Sequence, residues 1–299
     1  ADMEKISEKI YGSDNPAKVA IIYDKESKWA LNQSQGPRNC GLDYDNLCAQ
    51  YYKYFWQNGI GVDVLDSRSD FEDYKIVIAP LLYMFHNDIQ QKMRNFVERG
   101  GILLSTAFSG VVDENDFCFL GEATQEKLSD VLGMWVEETD ALFDEEANET
   151  SWNQNTYKLK EICEVIHTTT AEVLAVYGKD YYKGAPVITK NTYGAGTAYH
   201  IAANCEDALI EDLCRQLVAE AQITGILGDA DIPDGIGICY RENETKRYIF
   251  IGNFSDEAKC IDFSKSSGNE ERAYVNILDD AKIGGKVCLE PYGIVILES

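Results

Sequence analysis

The sequence predicts a doubly wound, mostly parallel α/β sheet followed by a small antiparallel β domain. Two observations carry the first part. Short, predominantly apolar runs at 19–24, 62–65, 74–80 and 102–106 read as buried strands. Between them, apolar residues recur at helical spacing, and strand–helix alternation is the pattern of a parallel sheet covered by helices. The third observation concerns the tail. After the turn-rich stretch 225–234 only strand-like segments remain, at 236–241, 247–254, 273–278 and 293–297.

The elements follow in order. Ile6 and Ile10 share one helical face, and Gly12-Ser13-Asp14-Asn15-Pro16 ends that helix. The run 19–24 is the first strand and closes on an acid, Asp24. A polar stretch follows and is read as a loop over 24–46. Leu47, Cys48, Tyr51, Tyr52 and Phe55 then mark a helix that Gly59-Ile60-Gly61 closes. Ile89, Met93, Phe96 and Val97 mark another, ending at Gly100-Gly101. From about residue 134 the pattern turns to short β-like runs at 135–136, 162–166, 172–177, 186–190 and 196–201. Leu209, Leu213, Leu217 and Val218 build one more amphipathic helix. In a doubly wound sheet, ligands and partners meet the carboxyl ends of the strands, which directs attention to the loops 24–46, 80–87 and 107–120.

A chain of 299 residues, 45% hydrophobic, is long enough for two cores. Its net charge of -24 argues against nucleic acid and anionic membrane surfaces as partners, and leaves neutral ligands unpenalised. The acids are spread along the chain and read as a solvated surface. No apolar run approaches the roughly 18 residues needed to span a bilayer, and residues 1–6 do not resemble a secretory leader. Nine cysteines, an odd number without any CxxC spacing, are expected to be reduced thiols in a cytoplasmic protein.

The candidate chemistry is thin. Gly59 and Gly61 precede a strand and lack the third glycine of a dinucleotide fingerprint, so no cofactor is expected. His86, His167 and His200 have no neighbours at ligand spacing, so no metal is expected. The turn Ser105-Thr106-Ala107-Phe108-Ser109-Gly110 could be a nucleophile elbow, with Ser109 served by His200 and Asp207. The acid pairs Asp113-Glu114 with Asp116, and Glu137-Glu138 with Asp140, are read as loop acids rather than a glycosidase pair.

Five stretches, in order along the chain, carry a family resemblance. They are Asp24-Lys-Glu-Ser-Lys-Trp-Ala-Leu31, Gly100-Gly-Ile-Leu-Leu-Ser-Thr-Ala-Phe-Ser-Gly-Val-Val-Asp-Glu-Asn-Asp116, Leu132-Gly-Met-Trp-Val-Glu-Glu138, Asn191-Thr-Tyr-Gly-Ala-Gly-Thr-Ala-Tyr199 and Leu289-Glu-Pro-Tyr-Gly-Ile-Val-Ile-Leu297. Together they resemble the middle and C-terminal domains of family 42 β-galactosidases; the Ser-Gly-Val-Val-Asp-Glu-Asn-Asp run is the most specific. The resemblance implies residues 1–16 as a helix and linker leaving a catalytic barrel, 17–228 as an α/β trimerisation domain and 229–299 as an antiparallel β domain. It also implies a class I glutamine-amidotransferase-like, or flavodoxin-like, α/β fold and self-association as a homotrimer. The two catalytic glutamates of such enzymes lie in a barrel, so no residue here is expected to be catalytic, and galactoside would be met only through that barrel. The alternative is a stand-alone amidotransferase-like or carbohydrate-binding protein. Asp24, Trp29, Ser109, Asp113, Glu114 and Asp116 are the candidate interface or inter-domain residues, since they lie at the carboxyl edge of the expected sheet.

Overall fold

The computed structural model describes residues 2–34, 42–86, 88–119, 128–228, 230–264 and 274–299. Parts of the expected loops 24–46, 80–87 and 107–120, and Cys40, lie outside them. The chain divides into two compact units: Val19–Tyr51 with Asp63–Ala221, and Ala1–Lys18 with Tyr52–Val62 and Gln222–Ser299.

The larger unit holds a seven-stranded mixed sheet. Its parallel part runs β1 (Val19–Ile22), β3 (Ile76–Ala79), β5 (Ile102–Thr106) and β12 (Gly196–Ile201), with Val19 opposite Ile76, Ile76 opposite Ile102, and Ile102 opposite Thr197. Every residue of β1, β3 and β5 is buried, which is why these strands read as unbroken apolar runs. Beyond β12 the sheet turns antiparallel, through β11 (Pro186–Tyr193) to β10 (Glu172–Val176), while β2 (Val62–Leu65) closes the other side. The sheet is therefore parallel-rich and mixed, in line with the mostly parallel expectation, and its antiparallel part is β10 and β11. The physical reason is the short Gly194-Ala195 link, which lets β11 and β12 form a hairpin. A second sheet gathers β7 (Met134–Ala141), β8 (Asn148–Trp152), β9 (Asn155–Thr168) and β13 (Ala203–Cys205).

Helices α2 (Lys25–Gln33), α3 (Tyr44–Gln57), α4 (Ile89–Glu98), α5 (Ser129–Leu132) and α6 (Asp207–Glu220) begin in this unit. The first of these is a correction, because residues 25–33 form a helix where a loop is expected. Trp29 consequently sits on a helix and not on a loop.

The smaller unit contains α1 (Asp2–Ile10) and a fully antiparallel sheet in the order β14 (Ile236–Glu242), β15 (Arg247–Asn253), β20 (Ile294–Glu298), β17 (Tyr274–Asn276), β18 (Lys282–Ile283). Its core is built on Ile236, Ile238, Ile249, Ile251 and Leu297. Gly237 lies against the indole of Trp56; a Cβ there would stand 1.8 Å from a ring carbon, so no larger residue fits without displacing the ring.

Cys260 on β16 (Lys259–Asp262) and Cys288 on β19 (Lys286–Leu289) form a disulfide, which overturns the expectation of thiols throughout. The two residues are direct register partners across an antiparallel ladder, with Cα atoms 4.0 Å apart. A separation of 28 positions gives no hint of that pairing in the sequence. Cys48, Cys118, Cys163, Cys205, Cys214 and Cys239 are free. Among the described residues no helix is long and apolar enough to cross a membrane, and no group of side chains is arranged to hold a metal.

Candidate functional site

The site is built at the carboxyl ends of β1 and β3. Asp24 stands two residues after β1 and is fully buried. It is the N-cap of α2: its Oδ1 accepts the Ser27 N–H at 2.6 Å, and its Oδ2 accepts the Ser67 hydroxyl. Its own N–H donates to the Tyr44 hydroxyl at 2.9 Å. A carboxylate at this position also favours the positive end of the helix. Ser27 fixes the helix from its buried side, where its hydroxyl accepts the Met84 N–H at 3.0 Å. Glu26, Trp29, Ala30 and Gln33 then fall on one face of α2, by their three- and four-residue spacing. The Trp29 indole is 61% exposed.

The facing wall comes from β4 (Met84–Phe85) and β6 (Val112–Asp113), a short parallel pair with Met84 opposite Val112 and Phe85 opposite Asp113. The segment between β5 and β6 is tied down by backbone bonds, Gly110 N–H to Leu82 O at 2.8 Å and Val111 N–H to Tyr83 O at 2.9 Å. Gly110 has φ +66°, and a Cβ there would lie 2.7 Å from the Phe85 ring. Asp113 then organises a tight turn. Its Oδ1 accepts the N–H groups of Asn115 (2.9 Å) and Phe117 (3.1 Å), and the Asp116 N–H reaches back to its carbonyl (3.0 Å). Asp116 takes a left-handed φ of 64°, which an aspartate tolerates better than most residues. Glu114 and Asp116 stay exposed.

Between these walls lies a cavity of about 430 Å³, lined by Glu26, Trp29, Gln33, Met84, Glu114 and Asp116. Its electrostatics are negative. Burial pushes the Tyr83 phenol up to about 12, and the Asp116 charge adds to that. His86 is 7% exposed; its Nε2 stands 3.2 Å from Asp24 and 3.3 Å from Glu26, close enough for ion pairing but without a hydrogen-bond alignment to either. Glu26 is also held by Arg68 at 2.7 Å.

Of the six residues singled out in the sequence, Trp29, Glu114 and Asp116 therefore line one cavity. Asp24, Asp113 and Ser109 brace it. The Ser109 hydroxyl accepts the Leu82 N–H at 3.1 Å and donates to the Thr106 carbonyl at 2.8 Å, both buried bonds. Its proton is thus committed to a carbonyl. His200 faces Glu164 at 3.2 Å, and Asp207 accepts from Gln50. The serine-centred triad is not assembled.

The residue that the sequence reading missed is Glu164. It lies in β9, is fully buried, and accepts the Phe108 N–H at 2.8 Å while its other oxygen faces His200, itself fully buried. Phe108 has φ 60° and forms a true strand-to-loop elbow after β5. The signal available was a lone acid between apolar neighbours in Ile162-Cys163-Glu164-Val165-Ile166. What this assembly can do is hold a strained turn and present an acidic cavity.

Residues 17–224 match the family described as the β-galactosidase trimerisation domain, and residues 235–299 match the β-galactosidase C-terminal domain. The chain is 37% identical over 295 residues to the β-galactosidase Pbg of Clostridium perfringens and 36% identical over 294 residues to BglY of Alicyclobacillus acidocaldarius; each alignment covers 96% of this chain and 42% of the relative. It is also similar to the crystal structure of a β-galactosidase from Bacillus circulans sp. alkalophilus, with a TM-score of 0.91 and 33% identity over 99% of this chain and 43% of that one. The chain thus spans well under half the length of the relatives it matches. It belongs to the family 42 β-galactosidases, of which it carries the trimerisation and C-terminal domains.

Proposed function

We propose that this chain is the non-catalytic, subunit-assembly portion of a longer β-galactosidase, and that it associates as a homotrimer. The match of residues 17–224 to a trimerisation domain is the observation that carries the reading. On this proposal residues 1–16 link to a catalytic barrel, 17–228 form the assembly domain and 229–299 the terminal β domain. Hydrolysis of terminal β-galactosides belongs to the longer polypeptide. Asp24, Trp29, Ser109, Asp113, Glu114 and Asp116 form or brace the surface through which the domain meets another part of the assembly. The α/β unit is read as amidotransferase-like, supported by the elbow at Phe108 beside the buried Glu164 and His200, with an inert phenyl group where a nucleophile would stand. A cytoplasmic site of action belongs to the same proposal. Burial pushes the thiols of Cys48, Cys163 and Cys205 up to about 12, so they are packing groups and carry no compartment signal, while the Cys260–Cys288 disulfide weighs against a reducing site.

Two measurements test this. The purified chain should leave a nitrophenyl β-galactoside intact, and turnover would overturn the non-catalytic reading. Light scattering should give the mass of three copies, and a monomer at every protein concentration would overturn the assembly reading.

A further inference from the structure

We propose that the Cys260–Cys288 bond is a reversible thiol–disulfide switch on the smaller unit. A dithiol opens it while the chain stays folded, and its state sets how firmly the β17–β18 edge is held. Strand alternation places the two sulfurs. Ile261, Val287 and Leu289 point into the core, and Phe263, just past β16, joins them. Cys260 and Cys288 fall between these positions, on the opposite face, and are exposed. A nucleophile therefore reaches the bond without disturbing the core. Exposed disulfides are the labile ones, whereas buried structural ones resist reduction.

The ladder does not depend on the bond. The Phe263 N–H donates to the Gly285 carbonyl at 2.8 Å, one step beyond the strands and in the same register. Antiparallel pairs alternate between hydrogen-bonded and not, so Ile261–Val287 is a bonded pair and Cys260–Cys288 is not. The disulfide replaces no backbone bond, and its cleavage removes none. The flanking pairs and their buried side chains keep the two thiols opposite each other, so closure is an intramolecular step at high effective concentration. In the forward direction a dithiol's thiolate attacks one sulfur, a mixed disulfide forms, and the other cysteine leaves as a thiolate that takes a proton. The second thiol of the reductant then displaces the first cysteine and closes its own disulfide. Two electrons pass from the dithiol to the cysteine pair, and a small disulfide such as oxidised glutathione returns them.

The closed loop identifies what the switch controls. Cys260 and Cys288 are 28 positions apart, and β17 and β18 lie between them. This edge is thinly paired: β17 meets β20 through Val275–Glu298 and Asn276–Leu297, and β18 meets β17 through Tyr274–Ile283 and Val275–Lys282. Tyr274 packs edge-on against Phe263 with ring centroids 5.4 Å apart, which ties the edge to β16. A cross-link denies an opened loop part of the freedom it would gain, so the oxidised form disfavours opening of β17–β18 and the reduced form permits it.

The test uses the intact 299-residue chain in its native state. Dithiothreitol is added without denaturant, samples are quenched in acid, and Cys260 and Cys288 are alkylated and mapped. The expected result is loss of the bond at a rate within about tenfold of that in the urea-unfolded chain, with the native circular dichroism retained. Slower reduction than that, or reduction accompanied by loss of the native signal, makes the bond a structural staple and overturns the proposal. Oxidised glutathione should then restore the same pair; a chain left with free thiols or with other pairings overturns it as well. Hydrogen exchange followed by mass spectrometry reads the consequence. Peptides covering β17 and β18 should exchange at least about tenfold faster after reduction, while those of β3 and β5 in the larger unit keep their rates. Cys260→Ser/Cys288→Ser should match the reduced wild type and no longer respond to dithiothreitol. Unchanged exchange at β17–β18, or equal acceleration at β3 and β5, overturns the switch.

Discussion

Asp24→Ala should destabilise the larger unit by about 2–4 kcal/mol, although Asp24 touches no solvent and belongs to no catalytic group. The substitution removes the cap of α2, whose Ser27 N–H is accepted at 2.6 Å; loss of a side-chain cap costs about 1 kcal/mol. It also leaves the Ser67 hydroxyl buried without its acceptor, which adds about 1–3 kcal/mol. For a unit of this size that is a fall in Tm of roughly 5–12 °C. Urea unfolding followed by circular dichroism would measure it, with the midpoint moving and the slope unchanged. Asp24→Asn serves as the control: an amide oxygen still caps the helix, so less than half of the loss is expected. An alanine variant within about 0.5 kcal/mol of the wild type would refute the reasoning, since neither the cap nor the Ser67 bond would then matter. An asparagine variant as damaged as the alanine one would show that charge, not acceptor geometry, is what the site requires.

Glu164→Ala should cost about 2–4 kcal/mol by orphaning the buried Phe108 N–H and the His200 ring, with Glu164→Gln recovering most of it; chemical denaturation of the three proteins is the check. Alkylation of the denatured, unreduced chain followed by peptide mapping should leave Cys260 and Cys288 unlabelled. Reduction of that bond should lower the stability of the smaller unit by about 3–4 kcal/mol, from the entropy of a loop this long. The third concerns acid. A bond from Arg94 holds the Asp130 carboxyl below its ordinary value, so its contribution is complete above the unfolded value near about 3.9 and is lost as pH falls through that value and below. Because half of the Asp130 side chain is exposed, the stability difference between wild type and Arg94→Gln should stay under about 1 kcal/mol at pH 7 and close by about pH 2.

Much of the larger unit could be read from its residues, and the reasons are specific. Ile76-Val77-Ile78-Ala79 and Ile102-Leu103-Leu104 are buried on both faces, so the sequence shows them as solid apolar runs. Leu209, Leu213 and Leu217 recur at the period of α6 and are all buried. Helix α2 escaped for a corresponding reason. Of its nine residues only Ser27, Ala30 and Leu31 are buried, one of them a serine, and its largest apolar side chain faces out. No periodicity survives such a face, and the surviving clue was the cap acid Asp24 standing three residues before Ser27.

The sequence alone determined the buried strands of the parallel-rich sheet, the helices with an apolar stripe, the antiparallel tail and the family, because each is written in local spacing or in contiguous motifs such as Ser109–Asp116. Tertiary structure decided the direction of β10 and β11, the Cys260–Cys288 bond, the partnership of Glu164 with Phe108 and His200, and the meeting of Trp29 with Glu114 and Asp116. All of these join residues distant in the chain, and they depend on which strand lies beside which and in what register. A shift of one residue along a strand turns every side chain to the opposite face, so composition and spacing cannot specify them in advance.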